Sequence, residues 1–204
     1  MKYLITLLLV VIVNHGLTAQ VKRNHGGRLF SDVDVYLTDG TMVNGAVAQP
    51  IEIYAETISV KINNKKNKTY DKAEVSKLVF KVAGSEMVYV KLKHDHAAMY
   101  EKKDDEIFVR EFIKGKESLY YGTNSGYEIK KRKSTLVNDT NLWFCKSENE
   151  AILNLLYADT TSDETTALYE QNAKKHFNSQ EIVGYIAKAN YEALTEYLKQ
   201  FNAK

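Results

Sequence analysis

The chain has 204 residues, 44% of them hydrophobic, with 28 lysines and arginines against 26 aspartates and glutamates, for a formal charge of +2. That mixed, near-neutral balance supplies no chain-wide field for nucleic acid or an anionic membrane. A chain of this size buries roughly 70% of its unfolded surface and needs no covalent staple, in keeping with a single cysteine, Cys145, which excludes an internal disulfide.

Met1 and Lys2 give a positive start, Tyr3 to Val13 is an unbroken apolar run, and Asn14 to Ala19 is polar and rich in small residues. This is the pattern of a secretory signal peptide over 1–19, cleaved between Ala19 and Gln20. The apolar run is shorter than the roughly twenty residues a membrane-spanning helix needs, and no cysteine follows it to carry a lipid. The expected product is periplasmic or secreted, with no stable membrane span after cleavage. Gln20 to Lys204 keeps all 26 acidic residues and all 28 basic ones except Lys2, a balance of +1.

Residues 20–32 are polar and aperiodic and read as a flexible leader. A period of two then sets in: Val33, Val35 and Leu37 alternate with Asp34, Tyr36 and Thr38, Asp39-Gly40 supplies a tight turn, and Met42-Val43 leads to Gly45. Pro50, the single proline, marks a break. Thr57 to Ile62 alternates again, a short strand covers Lys68 to Tyr70, Asp71 to Glu74 makes one helical turn, and Ser76 to Val82 is the next strand. Together these form a β unit over 33–84. A second, antiparallel unit over 85–140 has strands at Met87–Lys93, Ile107–Ile113, Ser118–Tyr121 and Tyr127–Lys131, with a turn at Gly122 to Gly126.

From 141 to 204 the chain reads as a helical segment. Ser147 and Glu150 have capping-box spacing ahead of Ala151, Ile152, Leu155 and Leu156. Asp163 to Phe177 is a second helix, and Asn178 with Glu181 opens a stripe of Val183, Ile186, Leu194, Tyr197, Leu198 and Phe201. Strands first and helices last, without alternation, predict an α+β fold. The helical last third argues against an outer-membrane barrel, whose strands of about ten residues run throughout.

The stretch Val33-Asp-Val-Tyr-Leu-Thr-Asp-Gly-Thr-Met-Val-Asn-Gly45 resembles the first hairpin of SH3-like and Sm-like barrels, and the strands to Val82 fit the same meander. The resemblance implies an SH3-like barrel at the front of the fold. Sm-like barrels bind RNA, but an exported chain whose strand ends lack an aromatic-plus-basic platform implies no nucleic-acid partner. The whole chain is also similar to uncharacterised secreted proteins of Bacteroidetes-type bacteria. That likeness rests on Leu17-Thr-Ala-Gln20, on Asp39 to Gly45, on the GKxSLY-like run Lys114-Gly-Lys-Glu-Ser-Leu-Tyr-Tyr121, on Tyr127 to Lys131 and on Glu181-Ile-Val183. It implies compartment and architecture and brings no activity or cofactor. Asp159-Thr160-Thr161 resembles the short O-glycosylation acceptor pattern of that group.

The sharpest site-like feature is His94-Asp95-His96. On an extended chain both imidazoles share a face, as the first two ligands of a metal site would, with Asp104, Asp105, Glu106 and His176 available as a third. The same residues serve equally well as a solvated turn. Tyr120 and Tyr121 suit a binding face, joined by Lys131 and Lys133 of the basic run Lys130 to Lys133; the bland alternatives are sheet filling and aggregation-blocking charge. Lys65 to Lys68 is a second basic cluster of the same ambiguous kind.

Catalytic patterns are sparse. Gly122 to Gly126 has one residue too many for a nucleophile elbow and lies between strands, and neither GxGxxG nor GxxxxGK occurs. Asp104-Asp105-Glu106 is a charged turn, and Cys145, within Leu142 to Cys145, reads as a buried apolar residue. The expectation is a non-enzymatic envelope protein that binds an envelope component or partner protein. The alternative is a metal-binding protein or metal-dependent enzyme using His94 and His96.

Overall fold

The computed structural model describes residues 29–49, 51–63, 66–82, 84–94, 106–130, 133–159 and 163–203. The signal-peptide segment and, among the candidate residues, His96, Asp104, Asp105 and Lys131 lie outside the described residues. The fold is α+β: a ten-stranded mixed sheet followed by three helices.

The strands are β1 (Leu29–Leu37), β2 (Met42–Gln49), β3 (Thr57–Ile62), β4 (Lys66–Asp71), β5 (Val75–Val82), β6 (Ser85–His94), β7 (Glu106–Ile113), β8 (Glu117–Lys130), β9 (Lys133–Ser147) and β10 (Ile152–Ala158). The Asp39-Gly40 turn forms as expected. Gly40 takes the left-handed φ of +87° that the turn requires, and the Thr41 amide donates to the Asp39 carboxylate at 2.8 Å. β1 starts at Leu29, opposite Gln49. The last four residues of the expected leader are therefore strand, because β2 is long enough to pair with them.

The sheet order is β10-β9-β8-β7-β6-β5-β1-β2-β3-β4. A short parallel ladder, Ile152 with Lys93 and Leu153 with His94, returns β10 to β6, so β6 to β10 form a closed circuit of paired strands. A 3-10 turn over Lys72–Glu74 joins β4 to β5. The first five strands stand in the order β5-β1-β2-β3-β4, and among the described residues no ladder joins β4 to β5. The sheet runs on past residue 84, since β5 and β6 pair from Lys77–Val90 to Val82–Ser85.

Alternation distributes side chains among three cores. Val33, Val35, Leu78, Phe80, Tyr89 and Phe108 fill the first. The intervening positions of β7, Ile107 and Val109, fill the second with Tyr120, Leu142 and Phe144. Leu119, Trp143, Cys145 and Leu156 meet the helices in the third. The β2–β3 link ties the first two cores together: the Ile53 amide donates to the Thr123 carbonyl at 3.0 Å and the Phe108 amide donates to the Ile53 carbonyl at 3.1 Å. The Ile53 side chain is fully buried in the second core, directly against Gly122, where a Cβ would lie 2.3 Å from Ile53 Cγ2.

Two expectations need correction. The helical segment placed at 141–204 begins only at Asp163, because β9 and β10 occupy its first part. The Ser147–Glu150 interaction does form, with the Ser147 amide donating to Glu150 Oε2 at 3.2 Å, but it closes a turn between two strands. Leu153 and Leu155 belong to one core and Leu156 to another, and a segment apolar on both faces suits a buried strand as well as a helix. The expected turn at Gly122 to Gly126 is instead continuous strand. Its glycine marks a register shift between Gly126 and Tyr127, the signature of a bulge, and β8 and β9 pair on to Lys130–Lys133.

The helices are α1 (Asp163–Phe177), as expected, α2 (Glu181–Ala187) and α3 (Tyr191–Asn202). The long apolar stripe is split where Ala189 adopts φ +51°. Asn190 then caps α3, its side chain accepting from the Ala193 amide at 3.3 Å. Ile186, Leu194 and Leu198 remain on one buried face in the third core. No described helix is long and apolar enough to cross a membrane.

Candidate binding site

The register of β6 to β10 lines up one cross-strand row: Tyr89 opposite Arg110, Arg110 opposite Tyr121, Tyr121 opposite Trp143 and Trp143 opposite Tyr157. Directly opposed residues share a face and touch. The Tyr121 and Trp143 rings have centroids 5.1 Å apart. Phe112 stands edge-on to Trp143 at 5.0 Å, and Tyr191, from the start of α3, lies over Trp143 at 5.6 Å. The row thus runs from the first core, which holds Tyr89, to the helix-covered third core, which holds Trp143.

Arg110 sits at the seam between those cores. It is half-buried, and its Nε is buried with no hydrogen-bond partner. The ion pairs formed among the described residues use lysines and His176, none of them Arg110. Its electrostatic neighbours are Tyr89 and Tyr121, whose hydroxyl pKa values burial pushes up and Arg110 draws partly back down. Both phenols stay neutral at physiological pH, so neither supplies a counter-charge to the guanidinium. A desolvated donor without a partner costs about 1–3 kcal/mol, more when charged, and the Nε of Arg110 is such a donor.

A polar relay holds the tyrosine in place. The Tyr121 hydroxyl donates to Asn141 Oδ1, the Asn141 side-chain amide donates to Asp159 Oδ2 at 2.6 Å, and the Asn141 backbone amide donates to the same oxygen at 3.1 Å. The row sets one half-buried cation beside the half-buried Tyr121, while Tyr89 and Trp143 are buried in the flanking cores. A planar guanidinium beside a phenol ring suits an acidic group that reaches Arg110 past Tyr121.

A second polar cluster, under α1, is structural. His176 Nδ1 lies 2.8 Å from Glu117 Oε2, and the Ser147 hydroxyl donates to Glu117 Oε1 at 2.6 Å. Lys175 pairs with Glu150 at 2.6 Å, and His176 Nε2 faces Glu150 at 3.6 Å. Serine, histidine and glutamate are neighbours here, but the carboxylate takes the serine proton and lies against Nδ1, which assigns that nitrogen as a donor. His176 Nδ1 also lies 3.3 Å from the Ser147 oxygen, but a nitrogen that donates to Glu117 is no base toward the serine, and the group clasps α1 to the sheet.

The run Lys114 to Tyr121 acquires its structural reasons here. A Cβ at Gly115 would fall 2.5 Å from the Asn202 side chain, which itself bonds both the amide and the carbonyl of Glu117 at 3.2 Å. Glycine therefore lets α3 dock on the start of β8.

Of the predicted site residues, Tyr121 belongs to the row. Tyr120 points the other way, into the second core at 6% exposure, so the two adjacent tyrosines do not form one face. His94 ends β6, buried at 4% exposure and edge-on to Tyr54. Among the described residues no group of three histidine, cysteine, aspartate or glutamate side chains is placed to hold a metal. Lys133 opens β9, paired with Lys130 at the last rung of the β8–β9 ladder. Cys145 is fully buried, and burial pushes its thiol pKa far up.

Sequence reasoning missed Arg110, Tyr89 and Tyr191. The available signal was a lone cation in β7 on the phase of Phe108 and Phe112. Compared with known protein families, curated proteins and solved structures, the chain has no match.

Proposed function

We propose that this chain is an exported, non-enzymatic envelope protein that binds an acidic ligand, carboxylate- or phosphate-bearing, at Arg110 between Tyr89 and Tyr121. The observation that carries the reading is the half-buried guanidinium whose Nε has no partner, set in a row of aromatic rings. The signal-peptide pattern of residues 1–19 supports the compartment. The strand order β5-β1-β2-β3-β4 and the 3-10 turn before β5 support an SH3-like barrel at the front.

Trp143 is the chain's one tryptophan and stands against Tyr121, so its emission reports on the site. Titration with acetate, glucuronate and phenyl phosphate is expected to give a saturable emission change with at least one probe. Arg110→Met keeps the apolar stem, removes the charge, and should weaken that probe by about tenfold or more. Equal midpoints in the two proteins, or no saturable change with any of the three, would contradict the reading.

A further inference from the structure

A cavity of about 340 Å³ opens on β1, β2 and β3, lined by Asp32, Asp34, Asn44, Lys61, Asn63 and Lys81. It shares no residue with the Arg110 row. We propose that it is a second binding site, for a neutral polyhydroxylated ligand of the size of a mono- or disaccharide.

The walls come from register. Asp32 and Asp34 are two apart on β1 and so share a face, Asn44 of β2 stands directly opposite Asp34, and Lys81 follows the Val33–Phe80 pair on the other side. Gly45 makes the third wall reachable: a Cβ there would lie 2.5 Å from Val60 Cγ1 and 2.9 Å from the Lys61 carbonyl. Only glycine lets β3 bring Lys61 this close to β2.

The polar groups are already arranged. Lys81 Nζ lies 2.8 Å from Asp34 Oδ2, and the Asn44 side-chain amide donates to Asp34 Oδ1. The Lys81 bond above all, opposed by burial and helped by Asn44, holds the Asp34 carboxyl below its usual value. Asp34 is therefore an ionised acceptor in a fixed place, with a side chain only 13% exposed, while Lys81, 56% exposed, is free to adjust around a guest.

Charge and chemistry then select the ligand class. Two acidic and two basic residues line the cavity, so their formal charges balance and give no preference for a cation or an anion. The lining holds no aromatic ring and no apolar side chain larger than Val33, so an apolar or aromatic guest gains little. Acceptors and donors alternate at short range, and a hydroxyl is the group that gives to the first and takes from the second. The volume lies at the small end of small-molecule sites. Without an aromatic platform the affinity expected is in the millimolar range, about 1 mM.

The test is a titration of the purified protein with glucose, mannose, N-acetylglucosamine and maltose, up to about ten times the expected dissociation constant. It is followed through the side-chain amide NMR signals of Asn44 and Asn63. At least one sugar should shift both signals saturably. In Lys61→Met, with melting unchanged, the same sugar should shift the Asn44 signal about tenfold more weakly. Asn44→Ala, a change at an exposed position, should weaken the Asn63 response likewise. Absence of a saturable shift with every sugar would overturn the proposal, as would equal responses in the variants. Phosphate or calcium producing the shift in place of the sugars would do the same, by making the cavity an ion site.

Discussion

Gly122→Ala tests how the two sheet cores are joined. Gly122 does not need a left-handed φ, and within an unobstructed strand alanine is the better residue by roughly 0.5–1 kcal/mol. The structure predicts the opposite sign. The new Cβ would lie 2.3 Å from Ile53 Cγ2, whereas its contacts with Phe144 Cε2 and Val109 Cγ1, both at 3.7 Å, are ordinary. Carbon atoms rest about 3.5–4.0 Å apart, so Ile53 must retreat by more than an ångström. It is fully buried and pinned through its own amide and carbonyl to Thr123 and Phe108. Overpacking of this kind costs about 1–3 kcal/mol, which for a chain of this length lowers Tm by about 2–4 °C per kcal/mol. Ile53→Ala alone should cost about 2–5 kcal/mol. In that background Gly122→Ala should be near neutral, giving a coupling of about 1 kcal/mol or more by chemical denaturation. An equal cost for Gly122→Ala in both backgrounds would refute the close packing of Ile53 on Gly122.

Three further outcomes follow from the same geometry. Asp34 lies below its usual pKa, chiefly through Lys81, and so does Glu150, where Lys175 and the Ser147 amide outweigh burial. Groups depressed in the folded state contribute stability above their unfolded value near 4 and lose it as pH falls through the folded value. Tm should therefore fall less steeply between about pH 5 and pH 2 in Asp34→Asn plus Glu150→Gln than in the parent; parallel profiles would contradict this. Cys145 should resist a thiol-disulfide reagent in the native state and react once per chain after unfolding; fast native labelling would place it outside the core. Ala189→Gly should raise stability by about 0.5–1 kcal/mol, since alanine holds φ +51° at a left-handed cost that glycine avoids. An unchanged Tm would mean that the α2–α3 joint relaxes without it.

Much of the fold was legible because alternation and turn chemistry are local. Val33 to Leu37 with Asp39-Gly40 gave the first hairpin, and Asp163 to Phe177 gave α1. Ser147 with Glu150 misled because its local bond is real while its context is not: a glutamate that accepts from the amide three residues back closes a strand turn as readily as it opens a helix. Gly122 to Gly126 misled because glycine marks bulges as well as turns, and only the register of β8 against β9 separates the two. The row around Arg110 was legible at Tyr121 alone. Tyr89 and Trp143 reach Arg110 and Tyr121 through pairings between distant segments, and Tyr191 arrives from a helix far along the chain. Whether an arginine has a partner is a property of assembled neighbours, which no spacing within β7 records. The Asp34 cavity was hidden for a related reason: Asp32 and Asp34 look like the solvated phase of an ordinary strand until Lys61 and Lys81 close around them.

Arg110, whose buried Nε has no partner, is proposed to take an acidic ligand, and its Nε–H resonance tests this most directly. Buried from water, that proton should give a slowly exchanging 15N–1H signal in the free protein. On titration with the acidic probe that alters Trp143 emission, it should shift and saturate at the same midpoint. A signal that never moves while Trp143 emission saturates would place the ligand elsewhere. A signal already shifted and protected by a carboxylate in the free protein would show that Arg110 was paired from the start.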